Sequence, residues 1–238
     1  MADLVVALDF PDVEQAVGCA DALRGIVPWV KVGLELFSIG GPELVRIFKS
    51  QGFKVFLDLK LHDIPNTVKG AALACAAAGA DMMTLHLAGG ERMCRDALEA
   101  VAGLDKRPLL FGVTVLTSLS EGELPCWEGG LSELARKLSG LASVWGLDGV
   151  VCSGHEASRI KAEYPNLQCL TPGIRLGDGQ NDDQRRIMTP AQAVSAGSDF
   201  LVVGRPITRA EDPASAASKV LADMGRAIVS NVSEQESM

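Results

Sequence analysis

Val55-Phe56-Leu57-Asp58-Leu59-Lys60-Leu61-His62-Asp63-Ile64-Pro65-Asn66-Thr67 reads as a hydrophobic strand carrying charges that a core would exclude. Side chains of a strand alternate between faces, so Asp58 and Lys60 share one face while Leu57, Leu59 and Leu61 share the other. Asp63 falls where the strand should end. Pro65 suits the first turn of a helix, where its missing N–H costs nothing. The charges therefore sit at the C-terminal mouth of a strand that feeds a helix. A lone Asp-x-Lys is most simply an ordinary ion pair. Inward charges at that end of a parallel strand, however, are where barrel enzymes keep catalytic groups, and buried charges are costly unless paired or used. A second run, Trp29-Val30-Lys31-Val32-Gly33-Leu34-Glu35, raises Lys31 out of apolar neighbours, where it needs a carboxylate beside it.

Outward from this stretch, strand-like runs recur at 4–10, 29–34, 54–61, 82–87, 109–116, 149–152, 168–171 and 200–203, with helical stretches between them. Alternation of this kind implies parallel strands with crossover helices, and eight repeats in 238 residues favour a closed single-domain α/β fold, the (β/α)8 TIM barrel, over residues 1–229. Pro11, Pro42, Pro65, Pro190 and Pro213 each precede an apolar-periodic segment, and Thr189 and Asp212 stand as N-caps before two of them. Residues 230–238 read as a polar, frayed C-terminal tail. Two connections after strands are long, 117–125 and 175–184. The second is polar and glycine-containing, as a lid would be, although a plain surface excursion has the same composition.

The net charge of −8, with no basic cluster to offset it, argues against a nucleic-acid surface. Six cysteines without C-x-x-C spacing, mostly among Ala, Val and Leu, read as reduced core thiols. The chain passes from Met1 almost directly into its first strand, and its most apolar window, 70–80, is too short to span a bilayer; a cytoplasmic protein with no membrane segment is expected.

Val5, Ala7 and Asp9 share a face of the first strand, so Asp9 reaches the same mouth as Lys31, Asp58 and Lys60. Two inward lysines oppose a bound cation, which favours a site with no metal. His86, inward beside Thr84, is either a ligand or base or, in the commoner use, a hydrogen-bonded core histidine. Thr117 and Ser118 place hydroxyls at the rim, to bind a polar ring or simply to cap a loop. Ser153 has His155 nearby but does not satisfy G-x-S-x-G and is set aside. Barrels commonly bind phosphate after strands seven and eight. Thr171-Pro172-Gly173-Ile174-Arg175, Gly204-Arg205-Pro206 and Gln184 fit that use, with Arg205 able to grip a phosphate and Gly204 allowing close backbone approach. A rim salt bridge is the alternative for Arg205. Neither a P-loop nor a strand-borne G-x-G-x-x-G is present, so no ATP or dinucleotide cofactor is indicated.

Ala7-Leu8-Asp9, Lys31-Val32-Gly33, the 58–67 motif, Leu116-Thr117-Ser118, Thr171–Arg175 and Val203-Gly204-Arg205-Pro206 together resemble the orotidine 5′-monophosphate decarboxylases, which catalyse the last step of de novo UMP synthesis. Related sugar-phosphate lyases of the same barrel share Asp-x-Lys-x-x-Asp but generally place a metal-binding Glu where Lys31 stands. The resemblance implies that Lys31, Asp58, Lys60 and Asp63 form an alternating catalytic array. It further implies a homodimer in which Asp63 and Thr67 reach into the partner's site. Asp9 and Lys31 would meet the ribose, Thr117 and Ser118 the pyrimidine and its lid, Gln184, Gly204 and Arg205 the phosphate, and Arg175 the ligand from the rim, with neither metal nor cofactor.

Overall fold

The computed structural model describes residues 2–124, 127–177 and 188–235, the last ten of these by backbone alone. The eight expected strands form as β1 Asp3–Ala7, β2 Trp29–Gly33, β3 Lys54–Leu61, β4 Met82–His86, β5 Leu109–Val113, β6 Gly149–Val151, β7 Gln168–Thr171 and β8 Phe200–Val203. They run parallel in sequence order, and β8 closes on β1. The chain is thus a (β/α)8 barrel.

Two strands end three residues before their hydrophobic runs, and pairing explains both. β5 ends at Val113 because its neighbour β6 is only three residues long and its last partner, Val151, lies opposite Val113. β1 ends at Ala7, opposite Lys31, so Asp9 sits just beyond the strand. Alternation is a property of the chain, whereas a strand also needs a partner.

Helices start where the local signals stand. Asp12 accepts the Gln15 N–H ahead of α1 Val13–Leu23, and Pro65 opens α3 Pro65–Ala78. α2 Leu34–Ser50 breaks at Gly41 (φ 57°), and Pro42 restarts it. α4 is Gly90–Ala102, α5 Leu131–Trp145 and α6 Gly154–Glu163. Thr189 and Gln192 form a capping box on α7 Pro190–Ser195, α8 is Arg205–Thr208, and Asp212 accepts the Ser215 N–H at the start of α9 Pro213–Gln235. The backbone of α9 continues past Val229, where a polar tail is expected to begin.

Outward strand residues such as Leu4, Val30, Leu57 and Met83 bury against the helices in the main core. Inward ones fill the N-terminal half of the barrel, where Phe200 meets Trp29 and Phe111 edge-on at 5.6 and 5.7 Å between ring centroids. That end carries a repeated fastening. Asp81, Asp148 and Asp199, at the starts of β4, β6 and β8, each accept one N–H from the preceding strand, those of Val55, Leu110 and Cys169, at 2.7 Å. Each also binds one cation, Lys49, Arg107 or Lys161. Two residues before each aspartate stands a glycine with φ between 89° and 104°, turning the chain out of the previous helix.

Among the described residues no helix is long and apolar enough to cross a membrane. Cys19, Cys75, Cys94, Cys152 and Cys169 are free thiols, and Cys126 lies outside the described residues.

Candidate active site

Residues that fill the barrel's lower half give way above to a cavity of about 850 Å³ opening at the C-terminal ends of the strands. Its floor is apolar, formed by Ala7, Phe56, Val113, Val151, Leu170 and Val202. Its wall on the β1–β3 side is charged. Lys31 Nζ donates to Asp9 Oδ1 at 2.8 Å and lies 3.8 Å from Asp58 Oδ2, and Lys60 Nζ donates to the same Oδ2 at 2.8 Å. Asp9, Lys31, Asp58 and Lys60 therefore form one chain of alternating sign. The Lys31 side chain is 8% exposed, so its ammonium depends on these two carboxylates.

The cavity side of β2 accommodates this because position 33 is glycine. A Cβ there would lie 2.9 Å from both Asp9 Oδ1 and Lys31 Nζ, although the Gly33 backbone (φ −84°) would accept any residue.

Asp58 and Lys60 both face inward, while Leu59 and Leu61 pack outward against the main core. The strand between them is not regular. Leu57 pairs with Met83 and Leu61 with Leu85, so three residues of β3 stand against Thr84 alone. Lys60 has φ 51°, a left-handed conformation costing a non-glycine residue roughly 1–3 kcal/mol. Its N–H donates to Thr84 Oγ1 at 3.0 Å, and Thr84 Oγ1 donates to Asp58 Oδ1 at 2.9 Å. Burial raises the pKa of Asp58, but the Lys31 and Lys60 charges and the hydrogen bonds from Lys60 and Thr84 outweigh it. The carboxyl is held below its ordinary value and stays ionised.

The other expected site residues divide into three sets. Thr117, Ser118, Arg175, Gly204 and Arg205 line the cavity, Thr117 buried beyond the end of β5 and Ser118 exposed. Asp63 and Thr67 are exposed outside it; the Asp63 carboxylate accepts the Ile64 N–H at 2.6 Å. Gln184 and most of the 175–184 loop lie outside the described residues. His86 packs against His62, ring centroids 5.3 Å apart, rather than lining the cavity. Burial first, then His62 and the Lys60 ammonium, lower its pKa against the opposing pull of Asp58. Among the described residues no three His, Cys, Asp or Glu side chains gather as a metal site would require.

Thr84 is the contact that strand alternation alone does not single out. The available signal was a hydroxyl at an inward position of an otherwise apolar strand, one strand over from Asp58. Gln15, Thr208 and Arg209 also line the cavity, with nothing in their local pattern to mark them.

A sequence model of the family described as "Orotidine 5'-phosphate decarboxylase / HUMPS family" matches residues 2–220. A protein of Nitratidesulfovibrio vulgaris (strain DP4) named orotidine 5'-phosphate decarboxylase is 57% identical over 230 residues, covering 94% of this chain and 98% of that one. One of the same name from Lawsonia intracellularis (strain PHE/MN1-00) is 53% identical over 217 residues, covering 90% and 95%. The crystal structure of orotidine 5'-phosphate decarboxylase from Lactobacillus acidophilus is similar with a TM-score of 0.83 at 34% identity, covering 94% of this chain and 99% of that one.

Proposed function

The chain belongs to the orotidine 5'-phosphate decarboxylase / HUMPS family, and on that premise we propose that it removes CO2 from orotidine 5′-monophosphate to give UMP by means of its own side chains. The observation that carries this reading is the alternating chain of charges on the wall of an otherwise apolar cavity, with Lys60 held on Asp58 at 2.8 Å. Departure of CO2 leaves an electron pair at C6 of the pyrimidine, with no adjacent carbonyl to delocalise it. The Lys60 ammonium lies against that developing charge, stabilises it more than the ground state, and then donates the proton that completes UMP. The proton is carried in by the Lys60 ammonium, which stands on Asp58 Oδ2 at 2.8 Å.

Asp58 also repels the substrate carboxylate. At about 4 Å and an effective dielectric near 20 the repulsion is roughly 4 kcal/mol, about a thousandfold in rate if fully relieved. Difficult reactions need well over ~10 kcal/mol of barrier lowering, so charge stabilisation and closure over the phosphate supply most of it. Asp9 and Lys31 take the ribose hydroxyls, Thr117 and Ser118 the pyrimidine, and Arg175, Gly204, Arg205 and Gln184 the phosphate side. No metal is needed: Asp9 Oδ1 and both Asp58 oxygens already bind lysine ammoniums and the Thr84 hydroxyl, which a cation would have to displace.

The reading includes a homodimer in which Asp63 and Thr67 complete the partner's site. Its support is their exposure at the rim beside Ile64, an apolar side chain 66% exposed just past the end of β3.

The test is to mix purified protein with orotidine 5′-monophosphate and EDTA and follow the loss of orotate absorbance. Turnover unaffected by chelator is expected; none, with or without added divalent cation, defeats the reading. The shared site has its own check. Mixing inactive Lys60→Ala with inactive Asp63→Ala should restore activity through heterodimers, and no recovery after subunit exchange removes Asp63 from the partner's site.

A further inference from the structure

Thr84 is buried in the barrel, and its hydroxyl touches two members of the charged chain at once. The chemistry leaves it one orientation. The ionised Asp58 carboxylate can only accept and the Lys60 amide can only donate, so the single hydroxyl proton points to Asp58 Oδ1 and a lone pair faces Lys60 N–H. Two geometrical consequences follow. With Oδ1 engaged, Oδ2 is the oxygen presented to both ammoniums. The amide of Lys60, whose backbone has left the regular ladder at φ 51° where three residues of β3 stand against one of β4, is satisfied by the side chain of that one residue.

We propose that Thr84 is a positioning residue: its hydroxyl holds the β3 bulge that turns Lys60 left-handed and fixes the Asp58 carboxylate, and so sets where the Lys60 ammonium stands over the cavity. This deepens the decarboxylase reading above and rests on it. Valine fills nearly the same volume but leaves the Lys60 N–H and Asp58 Oδ1 without their shared partner, freeing the backbone to regularise and the carboxylate to rotate. A catalytic group displaced by about 1 Å can lose about 10²-fold in rate. The phosphate-side residues Arg175 and Arg205 come from the far strands β7 and β8 and are untouched by such a change.

The experiment compares wild type, Thr84→Val, Thr84→Cys and Thr84→Ser for kcat, KM, UMP dissociation constant and thermal midpoint. Thr84→Val should lose about 10- to 100-fold in kcat with KM and UMP binding within ~3-fold of wild type, and Thr84→Ser should restore kcat to within ~3-fold. Thr84→Cys, with a weak donor in the same space, should fall between them, and it carries the test if the valine variant does not fold. A folded Thr84→Val or Thr84→Cys with wild-type kcat overturns the inference, as does a serine variant as slow as valine or a parallel loss of UMP binding. Wild type that does not decarboxylate the substrate defeats the functional reading itself, a result the variants cannot mimic.

Discussion

The two ends of this barrel use the same residue types for opposite purposes. At the N-terminal end, Asp81, Asp148 and Asp199 each take one cation and one backbone N–H, so each charge is closed within its own fastening. At the C-terminal end Lys31 lies between two carboxylates and Asp58 between two ammoniums, so the charges run on from one to the next along a cavity wall. The backbone shows the same division. Where the lower end needs left-handed residues it uses Gly79, Gly146 and Gly197, whereas the upper end keeps Lys60 in that region, the one non-glycine at positive φ among the described residues. Separate, relaxed pairs hold strands together. Linked, strained ones keep charge available to something that enters.

The sharpest way to break this contrast is Lys60→Ala. It should lower kcat by about 10³-fold or more while UMP binding and the thermal midpoint stay near wild type. Substantial retained turnover would remove Lys60 from proton donation. Arg205→Ala, just beyond the end of β8, should cost about 10- to 100-fold in kcat/KM, the 1.5–3 kcal/mol of a charged hydrogen bond, with much of it in KM. An unchanged KM would take Arg205 off the phosphate.

Gly33→Ala tests how tightly the upper chain of charges is built. Its Cβ would crowd Asp9 Oδ1 and Lys31 Nζ on a backbone that tolerates alanine, so kcat/KM should fall about tenfold with little change in thermal stability. Wild-type kinetics would mean the ion pair has slack. Asp148→Ala should do the reverse. It strips Arg107 and the Leu110 N–H of their partner, costing about 1–3 kcal/mol, or roughly 2–12 °C in midpoint for a chain of this size, with kcat unchanged. A loss of kcat at full occupancy of the folded state would show the two ends to be coupled.

Much of this was legible from residue order because the informative signals are local. Hydrophobic runs located every strand, prolines and cap residues located helix starts, and parity along β1, β2 and β3 brought Asp9, Lys31, Asp58 and Lys60 to one rim. The overshoot in β1 and β5 shows what parity omits: residues beyond Ala7 and Val113 keep facing the cavity without a partner strand. Thr84 was hidden for a related reason. A regular β3 would pair residue for residue with β4, and nothing in the run 55–61 announces two extra residues; only the paired backbone reveals the bulge that Thr84 fills. Asp63, prominent in the motif, stands exposed outside the cavity, since it lies past Leu61, where β3 and its alternation end.

The packed rings of Trp29, Phe111 and Phe200 make the barrel a blind well. Its bottom is stoppered by aromatic side chains that carry no part of the chemistry. Among the described residues traffic therefore has one doorway: arrivals and departures share the mouth at the C-terminal ends of the strands, and whatever is formed against the floor must wait for the way above it to clear.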